Sequence, residues 1–142
     1  MIVASFLKSL SLLVMHDVLC ANKKQLKVVI ADDSAAVREL LKPTLSRIDG
    51  LHITGMAENG VEALQLVKEL NPDVLVLDIS MPKKSGIDVL KEIRKDHLST
   101  VIIMFSAEPT LCEFCLASGA DYFLQKTEIM EMIDIFSQLL GN

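Results

Sequence analysis

Five short apolar runs punctuate the chain, and between them apolar residues recur every three or four positions. The runs are Leu26–Ala31, Leu51–Ala57, Val74–Leu77, Thr100–Phe105 and Asp121–Leu124. Residues 74–77 show no alternation, which predicts a strand covered on both faces, whereas 51–57 alternates enough to be an edge strand. The intervening stretches carry helical spacing. Val37, Leu40, Leu41, Leu45 and Ile48 form one stripe, and Ala63, Leu64, Leu66, Val67 and Leu70 a second. Ile87, Leu90 and Ile93 form a third, with Lys91, Glu92, Arg94 and Lys95 on the outer face. A short helix is predicted from Pro109 to Gly119. A last one spans Glu128 to Leu140, with Met130, Ile133, Phe136 and Leu140 inward. The punctuation fits: Ser34 as an N-cap, Asp49-Gly50 and Asn59-Gly60 as turns, Asn71-Pro72 as a stop. Pro43 is expected to bend the first helix. Strands alternating with helices, joined by right-handed crossovers, predict an α/β domain with a doubly wound parallel sheet.

Residues 1–22 stand apart. They are apolar, but Lys8, His16 and Asp17 interrupt them, and the charge-free run falls short of the roughly 20 residues of a spanning helix. No basic residue precedes the apolar part as in a secretion signal. Val3, Leu7, Leu10 and Val14 fall on one helical stripe. This segment is expected to be an amphipathic helix, packed on its own domain or on a second copy as a homodimer. Deleting residues 1–22 tests the dimer, which would then be lost. Membrane contact is not expected. The domain proper is expected to span residues 23–142.

Composition narrows the function. Of 142 residues, 51% are apolar and 23% charged, which suits covered sheet faces rather than disorder. The net charge of −5, without a basic run, argues against nucleic-acid binding. Three cysteines in a chain of this length make no disulfide scaffold and fit a reducing, cytoplasmic setting. Cys112 and Cys115 lie on one helical face but lack a second pair or a histidine at metal spacing, so they read as packing residues.

The chemistry gathers where strands end. Asp32 and Asp33, Asp78, Ser106 and Lys126 each follow an apolar run, and in a parallel sheet the carboxyl ends share one edge. Three carboxylates brought together repel unless a cation joins them, and oxygen-only ligands in a small open site suit Mg²⁺. A metal, a lysine and a hydroxyl together match the spread charge of a transferred phosphoryl group. A carboxylate can act as the nucleophile, forming an acyl phosphate. Asp78, alone on the central strand, is the natural choice.

Taken together, Asp32-Asp33, Asp78 with Met81-Pro82 and Gly86, Phe105-Ser106-Ala107, Gly119-Ala120-Asp121 and Lys126 resemble the receiver domain of bacterial two-component response regulators, over about residues 26–140. The resemblance implies a flavodoxin-like sheet of order 2-1-3-4-5 and Mg²⁺-dependent phosphorylation of Asp78 by a sensor histidine kinase. It implies that Asp33 and Asp78 ligate the metal directly and Asp32 through water, with the backbone carbonyl of Ser80 completing the shell. Lys126 would pair with the phosphoryl oxygens and Ser106 would hydrogen-bond one of them, with Phe123 as the switch aromatic. A downstream protein would read the face formed by residues 109–140. Ser80 and Glu108 match positions that tune phosphoryl lifetime in the family. Two features depart from it: Thr127 stands where proline usually follows the lysine, and Phe123 where tyrosine is common.

The expected function is thus a single-domain, chemotaxis-receiver-like response regulator, not a turnover enzyme. The alternatives are a phosphorelay intermediate serving a histidine phosphotransfer protein, and a pseudo-receiver that only binds partners. A haloacid-dehalogenase-like phosphatase needs an aspartate two residues after the nucleophile, where this chain has Ser80.

Overall fold

The computed structural model describes residues 8–12, 14–15 and 23–141. From residue 26 onward strands and helices alternate: β1 (Leu26–Ala31), α1 (Ala35–Ser46), β2 (Leu51–Ala57), α2 (Gly60–Leu70), β3 (Val74–Leu77), α3 (Gly86–Lys95), β4 (Val101–Ser106), a 3-10 turn (Pro109–Leu111), α4 (Cys112–Ala117), β5 (Tyr122–Gln125) and α5 (Ile129–Leu140). All strand pairings are parallel, in the order β2-β1-β3-β4-β5. This is the expected flavodoxin-like sheet, with the alternating strand β2 at one edge.

The sheet divides two apolar cores. Val29, Ala31, Leu75, Leu77, Ile102 and Met104 point to the side covered by α2, α3 and α4. Val28, Ile30, Val74, Val76, Ile103 and Phe105 point to the side covered by α1 and α5. Local signals set the helix ends. Ser34 Oγ accepts from Val37 N–H, Asn59 Oδ1 from Glu62 N–H and Ser85 Oγ from Asp88 N–H, as N-caps do. Asn71 ends α2 in the left-handed region at φ 45°.

Helix α1 runs through Pro43 to Ser46, and Thr44 Oγ1 donates to the Leu40 carbonyl at 2.7 Å. Two expectations about inward faces need correction. Leu40, placed on the inward stripe of α1, is 51% exposed. In α5 the inward stripe is Met132, Ile135, Phe136 and Leu140, not the one running through Met130 and Ile133. Met130 is 68% exposed and Ile133 only half-buried. Residues 8–12 and 14–15 are helical, with Leu10 41% and Val14 55% exposed. Val3, Leu7, His16, Asp17 and Cys20 lie outside the described residues. Among those described, no helix is long and apolar enough to cross a membrane.

Arg94 ties the far end of the molecule together. Its Nε donates to the Gly119 carbonyl at 2.8 Å, its Nη1 to those of Leu98 and Thr100 at 3.0 Å, and its Nη2 pairs with Asp121 at 2.8 Å. Asp121 Oδ2 also accepts from Ile102 N–H. One guanidinium thus joins α3, the entry to β4 and the turn into β5. Arg94→Met is expected to cost about 3 kcal/mol of stability, since charge-assisted bonds to part-buried carbonyls are lost together. Urea unfolding measures it, and a loss below about 0.5 kcal/mol would refute the account.

Candidate functional site

The carboxyl ends of β1, β3 and β4 lie side by side, and the residue that ends or follows each strand turns toward one point. Asp78 N–H donates to the Ala31 carbonyl at 2.9 Å and Asp32 N–H to Ala57 at 3.0 Å, so both acids are fixed by the sheet's own ladder. Asp32 and Asp78 are buried, whereas Asp33 is exposed. One carboxylate oxygen from each of Asp32, Asp33 and Asp78 lies within 4.8 Å of the others.

Lys126, just beyond β5, reaches across the end of β4. Its Nζ lies 2.8 Å from Asp32 Oδ2 and 3.4 Å from Asp78 Oδ2. Its backbone N–H donates to the Ser106 carbonyl at 3.1 Å. The Lys126–Thr127 peptide is trans, so the threonine in place of proline leaves the lysine inside the site. The contact with Asp32 Oδ2 is an ion pair without an aligned hydrogen bond, and that buried oxygen has no hydrogen-bond partner. The other oxygen, Oδ1, accepts from Ser34 N–H at 2.9 Å. Asp32 therefore anchors the β1–α1 turn with one oxygen and offers the other to the site.

The electrostatics follow from burial and crowding. Burial raises the Asp78 pKa, the Asp32 charge raises it further, and Lys126 only partly opposes them, leaving it at about 6. For Lys126, burial works against the charge. The contact with Asp32 and the charges of Asp78 and Asp32 outweigh it, so the ammonium is held above its ordinary range. A pocket that holds two buried carboxylates against one ammonium has room for more positive charge.

Ser106 is buried at the tip of β4, and its Oγ accepts from Glu108 N–H at 3.0 Å, which shapes the β4–α4 loop. Across the mouth, Ser80 Oγ donates to Glu108 Oε1 at 3.3 Å. Ser80 is exposed, in the loop between β3 and α3. Phe123 is half-buried against the core under α2, α3 and α4, while its neighbour Tyr122 packs on the opposite core. Cys115 is buried in α4 and Cys112 half-buried. Burial, with Cys112 beside it, pushes the Cys115 thiol up. A thiol so placed is a packing group, as expected.

Sequence reasoning missed Arg38 and Glu58. Arg38 Nη1 donates to the Asp32 carbonyl at 2.6 Å, and its Nη2 lies 3.5 Å from Glu58 Oε2. The only signal was their position, Arg38 one turn into the helix that follows Asp33 and Glu58 directly after β2.

Residues 28–136 match the family described as the response regulator receiver domain. The chain belongs to that family. Chemotaxis protein CheY of Thermotoga maritima is 33% identical over 116 residues, which are 80% of this chain and 96% of that protein. The probable C4-dicarboxylate response regulator DctR of Bacillus subtilis is 36% identical over 113 residues, 78% of this chain. The chain spans half the length of DctR and 23% of a 38%-identical protein-glutamate methylesterase from Trichodesmium erythraeum. Among solved structures, the response regulator domain of T. maritima CheB superposes with a TM-score of 0.76 at 29% identity, covering 84% of this chain and 98% of that one. A chain of the CheX–CheY–BeF3–Mg²⁺ complex from Borrelia burgdorferi gives 0.70 at 30% identity, covering 80% of this receiver and 90% of that chain.

Proposed function

We propose that this receiver accepts a phosphoryl group on Asp78 from a histidine kinase and signals by phosphorylation-dependent protein binding. The observation that carries the reading is the convergence of three carboxylates, Lys126 and Ser106 at one sheet edge. An Asp78 carboxylate oxygen attacks the phosphorus of a phosphohistidine. The new P–O bond forms as the P–N bond breaks, and the imidazole leaves with the electron pair. Lys126, within 3.4 Å of Asp78, is placed to neutralise the incoming oxygens, and the Ser106 hydroxyl has a proton to donate to one of them.

The acidic trio suits Mg²⁺, a hard cation that takes oxygen ligands. The buried Oδ2 of Asp32, which meets the Lys126 ammonium at 2.8 Å and accepts no aligned hydrogen bond, supports this assignment. Asp33 and Asp78 would hold the ion directly, with Asp32 through water and the Ser80 carbonyl completing the set. When bound, the ion supplies charge neutralisation for phosphoryl transfer. The B. burgdorferi complex, which contains Mg²⁺ and BeF3, supports the same assignment by likeness.

Helix α4, strand β5 and helix α5 form the face offered to a downstream protein, with Phe123 as the side chain that shifts when Ser106 is drawn inward. The likeness to a chain of the CheX–CheY complex from B. burgdorferi supports a receiver that works by binding another protein, and the cytoplasm is where kinase and target would meet. Residues 23–142 form the receiver, and residues 1–22 a separate segment.

Phosphorylation with a small-molecule acyl phosphate tests this reading. A Mg²⁺-dependent covalent adduct is expected on the native chain and none on Asp78→Asn, read by intact mass. An unmodified native chain with its fold intact would leave a receiver that only binds partners.

A further inference from the structure

The acidic trio has an unequal member. Asp32 and Asp78 are held in the sheet ladder and buried, but Asp33 is exposed and leaves the sheet with the β1–α1 turn. Its direction depends on the peptide plane that joins it to Asp32, whose carbonyl oxygen belongs to the same plane. That oxygen is where Arg38 Nη1 donates, at 2.6 Å. The Arg38 side chain is largely buried, its backbone N–H donates to the Ser34 carbonyl at 3.2 Å, and its Nη2 lies 3.5 Å from Glu58 Oε2. The Glu58 backbone is tied to the start of α2, its N–H donating to Glu62 Oε2 at 3.2 Å, while its carboxylate is 64% exposed. The largely buried guanidinium, through its 2.6 Å bond, thus holds the orientation of the Asp32–Asp33 peptide.

The geometry points to Arg38 as a positioning residue for cation binding, acting through the Asp32 carbonyl to set the direction of Asp33. This inference rests on the metal reading of the trio. Its sign separates it from a simple charge effect. Removing a cation close to an anionic site makes that site more attractive to Mg²⁺ by Coulomb's law. Loss of orientation makes binding weaker, and outer residues that orient ligands are worth about 10–100-fold in metal affinity.

The test is titration of the full chain with Mg²⁺ alone, by calorimetry, without phospho-donor. Arg38→Met is expected to bind about tenfold more weakly, as expected of a lost orienting group. Arg38→Gln should fall in the same direction and serves if the methionine variant does not fold. Arg38→Lys keeps the charge and one donor and should recover part of the loss. Arg94→Met, which removes a more heavily bonded guanidinium at the other end of the sheet, should lower stability and leave Mg²⁺ affinity unchanged. Native-like or tighter binding by both Arg38→Met and Arg38→Gln would overturn the inference while the metal reading stands. Failure of the native chain to bind millimolar Mg²⁺ would overturn both.

Discussion

Asp78→Asn is expected to lose phosphorylation completely and, in metal-free buffer at pH 7, to be more stable than the native protein. The Asp78 side chain is 5% exposed, and burial together with the Asp32 charge lifts its pKa from the ordinary 3.8 to about 6. The folded state thus holds the proton more tightly than the unfolded chain does, and above pH 6 the ionised group destabilises the fold. A gap of roughly two pH units corresponds to about 3 kcal/mol, an upper bound on the gain. The pH dependence has a definite sign. Native stability should rise as pH falls from 7 through 6 toward 4, while the asparagine variant lacks that contribution. The advantage of the variant therefore shrinks by pH 5 and vanishes near 4. Asp49, which Lys23 holds below its ordinary range, pulls the other way in both proteins and cancels. Urea unfolding in chelator at pH 7, 5 and 4 measures the difference. A variant no more stable at pH 7 would show that Lys126 already balances the pocket.

Gly86→Ala is expected to disrupt the fold, although alanine is the better helix former by about 1 kcal/mol. Gly86 opens α3, and its N–H donates to the Ile79 carbonyl at 2.8 Å. A Cβ there would lie 1.9 Å from the Asp78 carbonyl oxygen and 3.0 Å from Ile79 Cα. Those are backbone atoms of the strand end that carries the phosphoacceptor, and they cannot swing aside as a side chain does. Gly60 is similar, with its Cβ position 2.0 Å from the Lys84 carbonyl. The loop between β3 and α3 is drawn in against two glycines. A loss above about 4 kcal/mol, or failure to fold, is the outcome for such a clash. Gly55→Ala gives the contrast, because its nearest neighbours are the flexible Leu66 and Leu70 methyls at 3.2 Å. That variant should stay within about 1 kcal/mol of native. Thermal melts of the two variants measure the contrast, and similar midpoints would show that the loop can retreat.

The strands were readable because each is an apolar run bounded by turn residues, and their acidic ends marked the site. In helix α5 Phe136 and Leu140 were read correctly as inward, and Met130 and Ile133 were not. Ile129, Met130, Met132, Ile133, Ile135 and Phe136 form a broad apolar arc opposite Glu131, Asp134 and Gln138, so spacing finds the apolar side but not which part of that arc the sheet will cover. Leu40 misled similarly, since a leucine at helical spacing need not be covered. Asp78, Asp32, Asp33, Ser106 and Lys126 were legible because chain order and sheet topology bring them together. Arg38 and Glu58 were not, because their meeting depends on the path of two loops. The demand on Gly86 was hidden too, because a close approach between backbones leaves no trace in the residue's own neighbours.

The divided core has one more consequence. Ile102 and Ile103 are neighbours in the chain, yet they live in separate compartments with the sheet as a party wall. A hole opened behind one is not filled by the other's contents. A packing change behind Ile102 therefore reaches the surroundings of Ile103 through the β4 backbone that the two residues share.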